Sequence, residues 1–326
     1  MTEVSLVQAV NLALRRAMAD DPHVVVLGED VGVDGGVFRA TEGLLKLHGE
    51  DRVLDTPLAE AGITGVSIGL AAQGFRPVAE IQFTGFAYTC IDQLLNHAAR
   101  LRTRTRGRLT CPMVLRSPAG GGIHAVEHHS ESPEAMFAHI PGLKVVVPSS
   151  PRRCYGLLLS AIRDPDPVVF LEPTRLYRAA REDVIDDGQG IPLERCLILR
   201  GGRDVTLVSW GAMLKEALEA AERLAADDIG VEVIDVATLK PLDAGTILES
   251  VTRTGRLVVL HEAPLTCGFG AEIAARVAAG ALTSLLAPIE RVAGFDTVMP
   301  YPRLESYYMP GVHRIIEAVR RTVAYA

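Results

Sequence analysis

The chain has 326 residues, of which 48% are hydrophobic and 22% charged, a balance typical of globular domains. Its length favours two domains over one. The net charge of −7 gives no electrostatic support for nucleic-acid binding, and no apolar run reaches membrane-spanning length. We therefore expect neither nucleic acid nor membrane as a partner. The N-terminal segment predicts an amphipathic helix rather than a secretory signal, so we expect a cytoplasmic protein.

Helix-like and strand-like runs alternate along the first half of the chain. Helices are predicted at 4–18, just after Pro57, at 86–104 and at 152–162. Short apolar runs at 23–27, 53–54, 77–81, 113–116, 143–147 and 168–171 predict buried strands.

A charged, glycine-containing stretch then separates this half from a second alternation. Strands are predicted at 205–209, 231–236, 257–260 and 289–292, with helices at 214–226, 244–252, 271–279 and 312–322. Continuous apolar strands between helices indicate parallel sheets buried on both faces. We therefore predict an α/β fold of two doubly wound domains with mainly parallel sheets, at 1–180 and 203–326, joined by a linker at 181–202.

One carboxylate, Glu60, lies at the start of the helix that follows Pro57. Its neighbours Leu58, Ala61 and Ile63 are apolar. An acid in such a setting is poorly solvated, which raises a carboxyl pKa and favours proton chemistry. The alternative is an ordinary first-turn acid that the helix dipole favours.

Several common signatures are absent from the sequence, among them a GxGxxG turn, a Walker loop and a GxSxG elbow. Because parallel α/β proteins bind ligands at strand ends, the candidate segments are Glu60, the loop 82–86 and the loop 120–133. Three consecutive glycines open the last loop and allow positive φ and close backbone approach. It also holds His124, His128 and His129, whose side chains can exchange protons near neutral pH.

The chain resembles the beta subunit of thiamine-diphosphate-dependent 2-oxoacid dehydrogenases in DTPLAEAGITGVSIGLA, AEIQFTGFAYTCIDQLLNHAAR and HHSESPEAMFAHIPGLKVVVPSSP. These enzymes are the decarboxylating first component of the pyruvate and branched-chain 2-oxoacid dehydrogenase complexes. The match continues in VVFLEPTRLYR and HEAPLTCGFGAEIAARV, so it covers nearly the whole chain. The resemblance implies a transketolase-like fold, with a pyrimidine-binding first domain and a transketolase C-terminal-like second domain.

The family holds the cofactor diphosphate and magnesium with a GDG motif, which this sequence lacks. The resemblance therefore implies that a separate alpha subunit carries them in an alpha2beta2 heterotetramer, and that this chain alone is inactive. The implied further partners are a lipoyl-bearing dihydrolipoamide acyltransferase and a small 2-oxo acid substrate.

Four residues match positions that the family places around the aminopyrimidine ring. The matching glutamate, Glu60, hydrogen-bonds ring nitrogen N1′ and so promotes removal of the thiazolium C2 proton. Leu58, Gln82 and Phe86 match residues that line the same pocket. The pair Gln82-Phe83 is more similar to branched-chain than to pyruvate members.

The resemblance also assigns a role to the loop 120–133, which we call the histidine loop. His129 matches the histidine thought to protonate the lipoyl dithiolane during acyl transfer, and the adjacent His128 ranks below it. The alternative is a loop histidine that merely orders the segment.

A potassium site built mainly from backbone carbonyls is also implied by the resemblance. Its matching positions are Met113, Ala161, Ile162, Asp164 and Asp166. Oxygen ligands suit a hard cation. Asp166 stands where relatives often have asparagine, and a plain loop with two prolines is the alternative.

The implied activity is oxidative decarboxylation of a 2-oxo acid, branched-chain favoured over pyruvate, with reductive acylation of a lipoyl group. One alternative is an acetoin-cleaving dehydrogenase beta subunit. Another is a non-catalytic assembly subunit, which would have no use for Glu60.

Overall fold

The computed structural model describes residues 2–325, which divide into two compact units. Within this range the first unit comprises residues 2–119 and 136–193. The second comprises residues 120–135 and 194–325, so the histidine loop belongs to the second unit. Among the described residues, no helix combines the length and the apolar character needed to cross a membrane.

The first unit alternates strands and helices. Its strands are β1 (Thr2–Ser5), β2 (Val24–Gly28), β3 (Val53–Asp55), β4 (Arg76–Glu80), β5 (Val114–Ala119), β6 (Lys144–Val146), β7 (Val168–Pro173) and β8 (Arg181–Val184). Its helices are α1 (Leu6–Asp20), α2 (Leu44–His48), α3 (Glu60–Ala72), α4 (Ile91–Asn96), α5 (Leu101–Arg104), α6 (Glu134–His139) and α7 (Pro151–Arg163). Along the chain, α6 begins in the segment of the second unit.

Six strands of this unit form a sheet in the order β6-β7-β5-β4-β2-β3. All of its pairings are parallel, and every residue of β2, β5 and β7 is buried. The predicted parallel sheet, buried on both faces, is confirmed. Helix α1 packs on α7 through a face that includes Leu6, Val10 and Leu14, because residues spaced four apart lie on one side of a helix.

Two predicted helices of this unit have different bounds. The helix predicted at 4–18 begins only at Leu6, because β1 pairs antiparallel with β8 through Val4 and Glu182. The backbone N–H of Ser5 donates to Gln8 Oε1 at 3.0 Å and marks the helix start. Val4 therefore fits the apolar spacing of the helix but belongs to strand β1.

The prediction of one long helix at 86–104 is wrong. The segment contains α4 and α5 with two 3₁₀ turns, Phe86–Cys90 and Ala98–Arg100. His97 leaves the helical region with φ −120° and ψ −66°. The break brings the backbone of Ala99 against Gly142, where a Cβ would overlap the Ala99 carbonyl.

The second unit repeats the alternation. Its strands are β9 (Leu197–Arg200), β10 (Val205–Ser209), β11 (Val231–Asp235), β12 (Thr238–Lys240), β13 (Leu257–Pro264) and β14 (Glu290–Gly294). Its helices are α8 (Leu214–Ala225), α9 (Ala244–Thr254), α10 (Gly270–Gly280), α11 (Pro302–Tyr308) and α12 (Val312–Ala324). The sheet order is β14-β13-β10-β11-β9, parallel except at β9. Its core contains Leu207, Val258 and Val319.

The stretch predicted as linker at 181–202 contains two strands. β8 pairs with β1, and β9 pairs antiparallel with β11, with Leu197 opposite Asp235. Both strands leave several residues exposed or half-buried, so they lack the continuous apolar runs that identified the other strands. The α/β class with mainly parallel sheets is otherwise as predicted.

Candidate active site

Polar side chains gather at the carboxyl edge of the first unit's sheet. Glu29 and Asp30 follow β2, Gln82 follows β4, and Glu60 begins the helix that follows β3. The Gln82 side-chain amide donates to Asp30 Oδ2 at 3.3 Å. Parallel strands end at the same edge, and this places two predicted residues, Glu60 and Gln82, with two acids that sequence analysis left without a role.

Glu29 is the buried member of this group. Its side chain is 7% exposed, and its Oε1 accepts no hydrogen bond from any residue in 2–325. Burial raises the pKa of Glu29, and the nearby carboxylates of Glu60, Asp30 and Glu80 raise that pKa further. The edge therefore places the half-buried Glu60 near a second carboxyl whose pKa is raised by burial, an arrangement suited to proton transfer.

The apolar flank predicted around Glu60 does not bury it in this chain. Leu58 is 78% exposed, and Ala59 and Ala61 are exposed as well. The expected desolvation by these neighbours is therefore wrong for the chain by itself. These three side chains face outward, whereas Ile63, the remaining apolar neighbour, is buried on the interior face of α3.

That interior face carries hydroxyl groups. Thr64 and Ser67 are fully buried, and their hydroxyls donate to the carbonyls of Glu60 and Ile63 at 2.9 and 2.8 Å. Bonding to the carbonyl four residues back satisfies a buried hydroxyl within its own helix. Val66 on the outward face is 56% exposed, so α3 shows an apolar surface to its surroundings.

Phe86 lies on the 3₁₀ turn that packs against the start of α3. Its ring is half-buried and meets Phe83 edge-on, with centroids 6.4 Å apart. On the same turn, the Cys90 thiol donates to the Glu60 carbonyl oxygen at 3.4 Å. Burial raises the pKa of Cys90 to about 11, which keeps this thiol protonated. Phe86 therefore lies on a turn that contacts Glu60. Its role in binding the aminopyrimidine ring stays a prediction.

A buried ionic network lies beneath this edge and was missed by sequence analysis. Arg116 on β5 is 1% exposed and donates through Nε and Nη2 to Glu172 at 2.7 Å each. Its Nη1 donates to Glu80. The Tyr177 hydroxyl donates to Glu172 at 2.5 Å. Charged residues inside otherwise apolar strands were the available signal, since such groups are rarely buried unless paired.

The histidine loop, residues 120–133, lies in the second unit. Gly120 and Gly122 have φ of +81° and +82°, and a Cβ on Gly121 would overlap Met299. The predicted need for glycine here is confirmed. On the 3₁₀ turn Glu127–His129, His128 is exposed and His129 half-buried.

Two buried acids that sequence analysis also missed contact this loop. The Gly121 N–H donates to Glu262, and the Gly122 N–H donates to Glu305 at 2.8 Å. Because the loop and Glu60 belong to different units, the structure leaves the joint role of Glu60 and His129 as a prediction.

The predicted potassium positions lie close to one another in the first unit. The Met113 carbonyl accepts the Val168 N–H at 2.9 Å, beside the turn at 161–166. The Ala161 carbonyl accepts the Asp164 N–H at 3.3 Å.

Three cationic side chains contact the oxygens of this turn. Arg76 donates to the Ile162 carbonyl at 3.0 Å. Two ion pairs join Lys144 to Asp164 at 2.6 Å and Arg102 to Asp166 at 2.7 Å. These cations supply part of the positive charge that a bound potassium ion would bring, and the potassium site stays a prediction.

Comparisons with known proteins agree along the chain. Residues 2–180 match the family model "Transketolase, pyrimidine binding domain", and residues 194–315 match "Transketolase, C-terminal domain". The chain is 48% identical to "Pyruvate dehydrogenase E1 component subunit beta" of Bacillus subtilis and 46% identical to the protein of that name from Staphylococcus aureus. Each alignment spans 325 residues and 100% of both chains.

A solved structure described as "Split gene transketolase, inactive beta4 tetramer" superposes with a TM-score of 0.81 at 23% identity, covering 99% of both chains. At that identity the likeness shows the fold alone, and it agrees with the predicted transketolase-like architecture.

Proposed function

Because the chain belongs to the family of beta subunits of thiamine-diphosphate-dependent 2-oxoacid dehydrogenases, we propose that it supplies the aminopyrimidine half of a divided active site. The observation that carries this proposal is the pair Glu60 and Glu29 at the carboxyl edge of the first sheet. The family model for pyrimidine binding spans this edge.

The residues at this edge fit the aminopyrimidine ring of the cofactor. Thiamine diphosphate, when bound, supplies a carbanion for attack on the 2-oxo carbon and an electron sink for loss of CO2. Glu60 would hold a proton at ring nitrogen N1′. Burial raises the pKa of the neighbouring Glu29, whose Oε1 accepts no hydrogen bond within 2–325. A carboxyl next to apolar side chains such as Leu58 and Phe86 suits a flat, weakly basic ring.

The alpha subunit is the partner we assign to the apolar surface of α3. Val66 on α3 is 56% exposed, and Leu58, just before the helix, is 78% exposed. Large exposed apolar side chains grouped near a site favour a protein interface. The sequence has no GDG motif, so the alpha subunit would also bring the diphosphate and magnesium ligands. Two copies of each subunit would form the alpha2beta2 heterotetramer.

His129 is our candidate for the second half-reaction, reductive acylation of a lipoyl group on an acyltransferase partner. A half-buried imidazole on an exposed loop can reach a mobile lipoyl arm and deliver a proton. His128 beside it is exposed and ranks second.

Pyruvate is the first substrate to test, because the relatives at 46–48% identity carry that name. The comparisons do not support the branched-chain preference that Gln82 and Phe83 favour by sequence. Gln82 is held by Asp30 at the strand edge, which gives the branched-chain alternative a specific contact to examine.

The experiment is co-expression with the neighbouring alpha-subunit gene, followed by decarboxylation assays. Pyruvate, 4-methyl-2-oxopentanoate and acetoin are offered in turn with thiamine diphosphate, magnesium and an artificial electron acceptor. We expect activity only in the two-chain complex, highest on pyruvate. Turnover by this chain alone would contradict the divided site, and preference for acetoin would favour the acetoin-cleaving alternative.

Replacing Glu60 with glutamine separates a catalytic from an assembly subunit. We expect kcat to fall by about 10²–10⁴-fold because proton transfer at N1′ is lost. Melting temperature and complex assembly should stay unchanged, since the Glu60 side chain is only half-buried and glutamine keeps its shape. The matched control is E50Q, the same change at an exposed residue. Full activity in E60Q would leave the assembly role as the better explanation.

A further inference from the structure

The middle of the histidine loop is largely exposed, between buried residues at Gly120, Gly121 and Ser130. Gly122, His124, Val126 and His128 are exposed. Beside Ser130 and its neighbours the surface opens into a cavity of about 450 Å³. An exposed segment next to open space gains little from apolar burial, so its conformation depends on hydrogen bonds.

Glu262 closes the base of this loop. It lies on β13 and is 9% exposed. Its Oε1 accepts the Gly121 N–H and also the Ser132 hydroxyl, the latter at 3.1 Å. One carboxylate oxygen therefore joins the two ends of the loop. The Gly120 N–H reinforces the closure by donating to the Glu131 carbonyl at 2.8 Å.

Glu305 binds the segment 122–124 of the loop. It lies on α11, is 2% exposed, and accepts the N–H groups of Gly122 at 2.8 Å and His124 at 3.2 Å. The His124 ring contributes Nδ1 at 2.9 Å from the same carboxylate. His124 has φ +60°, a strained conformation for a residue with a Cβ, and these contacts stabilise it.

We propose that Glu262 and Glu305 are positioning residues that fix the histidine loop so that His129 meets the lipoyl dithiolane in acyl transfer. This inference rests on the proposed function. Hydrogen bonds to a buried carboxylate are stronger than bonds between neutral groups, so the acids define one loop conformation. Displacement of a catalytic group by about 1 Å can lower a rate by about 100-fold.

The first test is amide hydrogen exchange in the full chain, comparing wild type with E305Q. Glutamine keeps the shape of the side chain and removes its charge and one acceptor oxygen. We expect amides at 121–124 to exchange about tenfold faster or more in E305Q. The matched control is E272Q, an exposed residue on α10 away from the loop. Unchanged exchange in E305Q would overturn the proposal.

The second test measures two rates in the complex with the alpha subunit. One rate is decarboxylation with an artificial acceptor, and the other is reductive acylation of a lipoyl domain. We expect the ratio of acylation to decarboxylation to fall by about tenfold or more in E305Q and to stay constant in E272Q. A general loss of folding would lower both rates together, and that result would overturn the positioning role.

E262Q provides an independent variant, because it weakens the contacts with Gly121 and Ser132 at the two ends of the loop and leaves the Glu305 contacts in place. A matching fall in the same ratio supports the proposal. An inert wild-type complex would overturn the proposed function instead, and the exchange experiment would then still decide whether the acids anchor the loop.

Discussion

Arg116 donates to the buried carboxylates of both Glu80 and Glu172. Methionine at this position would keep much of the side-chain volume and remove the charge. The two acids are 3% and 0% exposed, so solvent cannot replace the lost guanidinium. The R116M variant therefore leaves two facing acids without a cation.

The expected cost is large, because breaking a buried ion pair by removing one partner costs about 3–5 kcal/mol. For a unit of this size each kcal/mol lowers the melting temperature by about 2–4 °C. We therefore expect R116M to lower the melting temperature of the first unit by about 6–20 °C.

The destabilisation should also depend on pH. Burial raises the pKa of Glu80 already in the wild type, and loss of Arg116 removes the group that opposes this shift. An acid with a raised folded-state pKa favours folding when protonated. Its contribution is complete below its unfolded pKa of about 4.3 and is lost as pH rises through the folded value. The deficit of R116M should therefore be greater at pH 8 than at pH 5.

Calorimetric or circular-dichroism melts of the full chain at these two pH values test the reasoning. The matched control is R276M, which removes an arginine that is 49% exposed and paired with Glu272 on α10. Exposed pairs contribute about 0–1 kcal/mol, so this variant should melt near wild type. A melting temperature of R116M within 2 °C of that of R276M would contradict this prediction, as would an equal deficit at both pH values.

Two further predictions concern other parts of the chain. Burial raises the pKa of Glu134 to about 7, and Trp210 donates to it at 3.2 Å. Its stabilising contribution is therefore complete near pH 4 and lost as pH rises through 7, and the fall in melting temperature between pH 5 and pH 8 should be smaller in E134Q. Equal falls would contradict this. If the turn at 161–166 binds potassium, KCl should raise the melting temperature about 3–6 °C above equimolar NaCl. Equal midpoints would indicate that Arg76, Lys144 and Arg102 suffice.

The buried parallel strands were predictable because each is an almost continuous apolar run. β2 and β10 are buried at every position, and both begin within one residue of the predicted bounds. The strands β8 and β9 gave no such signal. β8 is half-exposed and acquires its structure by pairing with β1, a long-range contact that no local period reveals. The helix predicted at 86–104 is broken at His97, close to a contact between Ala99 and Gly142 that is also distant in sequence.

The candidate site was predictable only where a residue stands out in its own stretch. The glycines of the histidine loop satisfied that condition. Glu60 was chosen on the same ground, and its role stays a prediction. Glu262 and Glu305 did not, because the backbone N–H groups that they accept belong to a loop more than 130 residues away in sequence. Glu29 did follow a buried strand, and its position at the same sheet edge as Glu60 was the signal that could have identified it.

Apolar residues were expected to enclose Glu60, yet most of them are exposed in the single chain. The difference can be understood if the site is formed by two chains. Apolar residues next to a functional acid predict an apolar pocket, but Leu58 and Ala61 point outward here, while Thr64 and Ser67 fill the interior. If an alpha subunit covers this surface, the same side chains enclose Glu60 only after assembly. Proton chemistry would then begin when the complex forms, and the free chain would hold its cofactor-facing acid in contact with water. This explains why the sequence predicts a buried Glu60, whereas the single chain leaves the neighbouring side chains Leu58 and Ala61 exposed.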